Sequence, residues 1–199
     1  MCLRRSIPER DSGRARRCPR GLPLLYSEEP ELLGTAGGAA PVIGTTEGKV
    51  VFRAAGAITI GSGGARINSD AGLLTLSGTI TTAALSNATF GGAGNTTVTS
   101  TGVISGAGGL VKDGAGKLTL SATSTYTGAT VINGGVLEVA TVGGSGVAST
   151  LGAASASSSN LVFNGGTLRF TGGLSATNRG ATFSSGGGTL EVSSGSGNL

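Results

Sequence analysis

The sequence predicts an all-β domain built as a β-solenoid, in which successive coils stack and each coil contributes one strand to each parallel sheet. Three observations predict this fold class. Glycine accounts for 39 of the 199 residues, well above the usual share of about 7%. The motif Gly-x-Leu-x-apolar recurs along the chain. Its copies lie about one coil apart, which is typical of stacked repeats.

Five copies of this motif align on a small-residue turn. Their anchoring leucines are Leu74, Leu118, Leu137, Leu168 and Leu190. Leu118 lies twice as far from Leu74 as Leu190 lies from Leu168, so the first step has room for one more copy. Residues 95–99 supply that copy in a more polar form, and residues 48–52, aligned on Val50, supply an earlier copy about one coil before Leu74. The spacing predicts about seven coils, with two or three sheets per coil.

Each copy alternates as a β-strand does. Leu118 and Leu120 share one face of residues 117–121, while Lys117 and Thr119 share the other. Stacked coils place equivalent leucines about 4.8 Å apart, so that they form a continuous narrow core. The phenylalanines are expected to point into that core; they are Phe52, Phe90, Phe163, Phe170 and Phe183.

A second strand is predicted before each glycine turn, in residues 130–133, 161–164 and 181–184. The Asn-Gly pairs that follow the first two of these strands also suit tight hairpins, so a meander of antiparallel hairpins is the competing interpretation. The recurrence of one strand pattern at a longer period favours stacked coils. Residues 143–159, rich in Gly, Ala and Ser, are predicted to be a loop inserted into one coil.

Composition divides the chain near Gly34. All five prolines and both cysteines, Cys2 and Cys18, lie before Val42, whereas 37 of the 39 glycines follow Leu33. Residues 1–33 are therefore predicted to be a disordered leader rich in Arg and Pro, and residues 34–199 to be the repeat domain. The leader lacks an apolar run long enough for a signal peptide, and the chain contains no apolar stretch of about 18 residues.

Residues 106–140 read GAGGLVKDGAGKLTLSATSTYTGATVINGGVLEVA and form the best copy of the repeat. This segment resembles the passenger-associated repeat of bacterial autotransporters, whose pattern runs G-x-L-x-K-x-G-x-G-x-L-x-L, then N/S-x-Y-x-G, then T-x-[IV]-x-x-G-x-L-x-V. The matching positions are Gly109, Leu110, Lys112, Gly114, Gly116, Leu118, Leu120, Tyr126, Thr127, Gly128, Thr130, Ile132, Gly135, Leu137 and Val139. The resemblance implies a right-handed parallel β-helix.

The same resemblance implies a passenger of type V secretion, carried to the cell surface with a C-terminal outer-membrane β-barrel. In that family the repeat is regarded as an aid to secretion and folding. The sequence shows neither a signal peptide nor a run of alternating ten-residue strands that could form a barrel. We therefore expect a fragment, or a truncated gene product, of a longer surface protein whose barrel would be its partner.

No catalytic, cofactor-binding or metal site is predicted. The chain has no His, which excludes Ser-His-Asp and Cys-His catalysis and His-containing metal sites. Asp11-Ser12-Gly13 and residues 91–96 imitate a protease nucleophile segment and a calcium-binding repeat, but the second lacks the ligating carboxylate at Thr96. Basic residues are scattered singly in residues 34–199, so no nucleic-acid partner is expected.

The acidic residues of the repeat domain favour a solvated surface over an active site. Glu138 and Glu191 take the same outward strand position, but they are separated by two coils or more and Arg169 takes the equivalent position between them. That spacing is too long for the carboxylate pair of a retaining glycosidase. We expect an outward ladder of alternating charge.

The expected function is non-enzymatic, without cofactors: a rigid stalk and a repeat that promotes secretion and folding, in a protein of the bacterial cell surface, outer membrane or extracellular space. The alternative is an adhesin that binds glycans or host proteins, and a less favoured one is a fragment of a β-helical polysaccharide-degrading enzyme. Two glycosylation-like triplets, at Asn87 and Asn95, are interpreted as coincidence.

Overall fold

The computed structural model describes residues 51–173 and 175–193, with side chains from residue 54 onward. These residues form a parallel β-solenoid of about six turns, without an α-helix in the described ranges, so the predicted fold class is confirmed. The strands in chain order are β1 (Val51–Ala54), β2 (Ile58–Ile60), β3 (Ala65–Asn68), β4 (Leu73–Leu76), β5 (Ile80–Thr82), β6 (Asn87–Gly91), β7 (Asn95–Val98), β8 (Ile104–Gly106), β9 (Gly109–Lys112), β10 (Lys117–Leu120), β11 (Thr130–Ile132), β12 (Val136–Val139), β13 (Leu161–Phe163), β14 (Thr167–Phe170), β15 (Thr182–Phe183) and β16 (Thr189–Val192).

Three parallel sheets run along the solenoid. The first contains seven strands in the order β1-β4-β7-β10-β12-β14-β16, and the second contains six in the order β15-β13-β11-β9-β6-β3. The third contains β2, β5 and β8 alone. Later coils replace this third side with irregular segments and a single-turn 3-10 helix, Ser158–Asn160. Because the named strands pair in parallel, the hairpin meander is wrong.

The motif copies stack in the first sheet in the predicted order. Leu74 pairs with Thr96, which pairs with Leu118, so the polar copy in residues 95–99 does fill the long step. One register differs from the prediction. Phe52, not Val50, pairs with Leu74, so the first copy is aligned two positions later than its sequence pattern suggests. A shift of two positions keeps every side chain on the same face, so alternation alone could not distinguish the two registers.

Stacking of equivalent side chains builds the core. The anchoring leucines from Leu74 to Leu168 are at most 2% exposed, and Thr96 takes the same inward position at 3%. Phe90 and Phe163 are also buried, as predicted, and Phe170 is partly buried. Phe183 stacks on Phe163 with ring centroids 4.5 Å apart, yet it is 55% exposed because no described coil covers it. The structure does not describe the side chain of Phe52, so its inward orientation stays a prediction.

Residues 140–160 connect β12 to β13 and include the predicted insertion. Leu151 and Ala154 within this connection are buried. The predicted leader, residues 1–33, and its boundary at Gly34 lie outside the described residues and stay predictions. Within the described ranges, no helix has the length and apolar character needed to cross a bilayer.

Candidate interaction surface

The outward face of the first sheet carries a ladder of paired charges on its last four strands. Glu138 on β12 is adjacent to Arg169 on β14, which is adjacent to Glu191 on β16. The Arg169 Nε atom donates to Glu191 Oε2 at 3.0 Å, and Arg169 Nη1 lies 3.6 Å from Glu138 Oε2. The hydrogen bond to Glu191 is the main reason that the pKa of Arg169 rises above its ordinary value. The predicted ladder is therefore present.

Glu138 is the centre of this charge ladder. Lys117 Nζ lies 3.1 Å from both of its carboxylate oxygens, and the Thr119 hydroxyl donates to Oε1 at 3.2 Å. With Arg169 on the other side, Glu138 is contacted by three donors and its side chain is only 16% exposed. Arg169 separates Glu138 from Glu191, so the ladder offers no pair of facing acids for glycoside hydrolysis.

Hydroxyl groups continue this face toward the N-terminal coils. Thr75, Thr97 and Thr119 occupy the same outward position on β4, β7 and β10. Parallel pairing places neighbouring members about 4.8 Å apart along the solenoid. The first sheet thus presents a half-buried threonine ladder that passes into a charge ladder, with both donors and acceptors along one line.

An ion pair crosses three coils at the corner between the second and first sheets. Arg66 on β3 donates to both carboxylate oxygens of Asp113, at 2.6 and 3.0 Å. Gly91 of the intervening coil makes this reach possible, because a Cβ atom there would lie 2.3 Å from both the Arg66 and the Asp113 side chains. The same bidentate contact raises the pKa of Arg66. Sequence reasoning missed this pair, since its members are 47 residues apart.

Lys112 is placed in the core instead of on the surface. It pairs with Phe90 on one side and Ile132 on the other, at an inward position, and is 2% exposed. Its Nζ donates to the backbone carbonyls of Asp113, Gly114 and Gly134, the last two at 3.1 and 3.3 Å. Burial lowers the pKa of this ammonium to about 8. The side chain therefore ties together the corners of two coils.

Two irregular segments pack together where the third sheet ends. Arg179 donates to the carbonyls of Leu151 and Gly152 at 2.8 and 2.7 Å, and to that of Val147 at 3.1 Å. Beneath these Arg179 contacts, Tyr126 is fully buried, and its hydroxyl lies 2.8 Å from Thr130 Oγ1. Burial raises the pKa of Tyr126 to about 12. A fixed Tyr in the repeat pattern was the one sequence signal for this arrangement.

The described ranges hold no cluster of three or more His, Cys, Asp or Glu side chains that could bind a metal ion. In the segment that imitates a calcium-binding repeat, Gly92 forms the corner with a φ of 95° and Thr96 points into the core. Asp11-Ser12-Gly13 lies outside the described residues, as do both cysteines. The sequence-predicted residues that the structure brings together are thus those of the charge ladder.

Comparison with known proteins identifies the centre of this solenoid. A family model described as Passenger-associated-transport-repeat matches residues 110–139, which extend from β9 to β12. Over 70 residues the chain is 46% identical to a protein named "Adhesin BmaC autotransporter" from Brucella suis biovar 1 (strain 1330). That alignment covers 35% of this chain and 2% of the relative's length. No solved structure matches the chain.

Proposed function

Because this chain contains an autotransporter passenger repeat folded into a parallel β-solenoid, we propose that it is a rigid stalk segment of a passenger displayed outside a bacterial cell. One observation carries the proposal. The first sheet pairs without interruption over seven strands, from β1 to β16, above one continuous apolar core. Backbone hydrogen bonds along the long axis and a shared core resist bending, which is the property that a spacer requires.

We also propose that the repeat in residues 110–139 promotes folding of its neighbours during export. Its strands are paired on both sides: β9 lies between β6 and β11, and β12 lies between β10 and β14. A coil that has formed presents parallel edges and an apolar surface on which the next coil can stack. Such growth suits a chain that emerges unfolded, because the strands of each added coil pair with the strands of its predecessor.

The role is proposed to be non-enzymatic and located at the bacterial surface or outer membrane. The matched relative is named as an adhesin and the matched family as a transport repeat, and neither name describes an enzymatic activity. Paired charges on the first sheet agree with this proposal, since Glu138 is already occupied by Lys117 and Arg169. A longer parent protein with a C-terminal barrel would supply the anchor.

Adhesion is the second candidate. The name of the relative favours it, and so does the outward ladder of Thr75, Thr97 and Thr119, which offers hydroxyl groups in a regular line. Under this proposal the segment would bind glycans or proteins of a host in addition to holding more distal parts away from the membrane.

A display experiment tests the stalk proposal. The full chain is placed between an outer-membrane barrel anchor and a distal epitope, and the epitope is measured on intact cells with antibody and with added protease. We expect efficient, protease-resistant display. Leu137→Asp should reduce it strongly, because a charge would enter the core, whereas the outward Thr97→Asp should not. Equal display of all three chains would contradict a role that depends on the folded solenoid.

A further inference from the structure

The corner that follows β5 is built differently from the corners stacked above and below it. In each coil this corner joins a strand of the third sheet to a strand of the second. Between equivalent positions on the two strands, the corner contains residues 61–64 in one coil, 83–87 in the next and 107–109 in the third. The middle corner is therefore the longest of the three. Leu85 lies in it and is fully exposed, at 100%.

Leu85 also has an unfavourable backbone. Its φ of 60° lies in the left-handed region, and it is the one non-glycine residue with positive φ among those that the structure describes. A Cβ atom makes this conformation costly. The exposed side chain also gains no stabilisation from the hydrophobic effect, because it stays in water. Neither cost is repaid by packing inside the chain. Backbone strain that packing does not repay is typical of functional sites, so the strained Leu85 makes this corner a candidate for contact with another molecule.

A shallow groove lies beside this leucine. Its lining includes Ser62, Gly63, Arg66, Leu85, Asn87 and Thr89. Asn87 and Thr89 are exposed or half-exposed on the outward face of β6, with the buried Ala88 between them. Their side chains have no hydrogen-bond partner within the described ranges. At Gly63 no atom lies within 4 Å of the place a Cβ would take, so the backbone there is open to a ligand.

The electrostatics of the groove select the class of ligand. Arg66 is the cation of the lining, and both of its outer nitrogens are engaged by Asp113, so the site has donors but little net charge. A neutral saccharide combines hydroxyl groups with apolar C–H faces, which match the polar lining and the Leu85 side chain. We propose that this groove is a binding site for a neutral saccharide unit. The proposal rests on display of the segment outside the cell.

Binding of the purified full chain to arrayed neutral and acidic oligosaccharides tests the site. We expect binding to neutral saccharides and at least a tenfold loss of affinity in Leu85→Asn, because Asn accepts the left-handed backbone but offers no apolar contact. Asn87→Ala should also weaken binding. The matched control is Val147→Asn, which removes another exposed apolar side chain, 56% exposed, outside the groove. It should leave the affinity unchanged.

Circular dichroism separates the possible failures. Leu85→Asn should melt no lower than the parent chain, since a strained residue has been replaced by one that tolerates positive φ. No saccharide binding by a chain that melts cooperatively, binding to acidic saccharides alone, or equal binding by Leu85→Asn would each overturn the saccharide site while leaving the stalk proposal intact. A chain that does not fold would overturn both.

Discussion

Lys112 occupies a position where its neighbours in the stack, Phe90 and Ile132, are buried apolar side chains. Burying an ammonium is costly. Part of that cost is offset because Lys112 Nζ donates hydrogen bonds to three backbone carbonyls at the corners of the coils. Lys112 therefore contributes less to the apolar core than its neighbours in the stack, but its hydrogen bonds connect the corners of two coils. Its charge remains poorly solvated, which is why its pKa falls.

This pKa gives a testable pH dependence. The pKa of Lys112 is about 8 in the folded chain and 10.5 ordinarily, so between these values the unfolded chain binds more protons. Stability should therefore rise with pH, by about 1 to 2 kcal/mol from pH 7.5 to 9.5, in urea titrations. Lys112→Met should abolish this rise, whereas the surface variant Lys117→Met should keep it. A rise that persists in Lys112→Met would assign the effect to another group.

At the residue scale, contacts between residues at the same position of successive motif copies could be predicted from the sequence. Contacts between different positions of the coils could not. Glu138, Arg169 and Glu191 could be aligned because they occupy the same place in the motif. Lys112 could not be assigned to the core, because an isolated lysine in an alternating strand normally faces water. The pair of Arg66 and Asp113 forms only because Gly91 leaves space between them.

At the element scale, stacking decides what each motif copy contributes to stability. The copies anchored by Leu137 and Leu190 have the same pattern, Gly-x-Leu-Glu-Val, and lie in the same sheet with β14 between their strands. Leu137 is fully buried between β10 and β14, whereas Leu190 on β16 is 62% exposed. Two copies of the same motif can therefore contribute differently to stability.

Alanine substitution measures that difference. Leu137→Ala should lower the free energy of unfolding by about 2 to 5 kcal/mol, since it removes buried methyl groups and leaves a cavity. Leu190→Ala should change it by about 0.5 kcal/mol or less, because a largely exposed side chain is truncated. Chemical denaturation of both variants checks this prediction. Similar losses would mean that the last coil is covered in solution.

Repetition made most elements predictable, and its interruptions made the others hard to predict. The first sheet and three strands of the second, β11, β13 and β15, follow from strands that recur beside glycine turns. The third sheet has three short strands, and its later replacement by irregular segments could not be read from the motif. Arg179 stabilises these segments through backbone carbonyls. Carbonyl acceptors are present at every residue, so sequence does not indicate which ones an arginine will bind.

At the scale of the whole molecule, the solenoid is close to a one-dimensional stack in which each coil contacts its neighbours. Stability should then depend on position along the axis. Strands such as β10 and β12 are paired on both sides, whereas β16 has a described partner only in β14. Its apolar residues Leu190 and Val192 are 62% and 70% exposed, which weakens the last coil further.

Native-state hydrogen exchange resolves this gradient strand by strand. Amides of β10 and β12 should exchange only through global unfolding, whereas those of β16 should open with a free energy lower by at least about 2 kcal/mol, because fraying breaks one coil interface and exposes little new apolar surface. Leu137→Ala should accelerate exchange in the central strands and leave that of β16 unchanged. Uniform exchange along the axis would instead mean that the end coil unfolds only with the centre, and the stack would have to be treated as one cooperative unit.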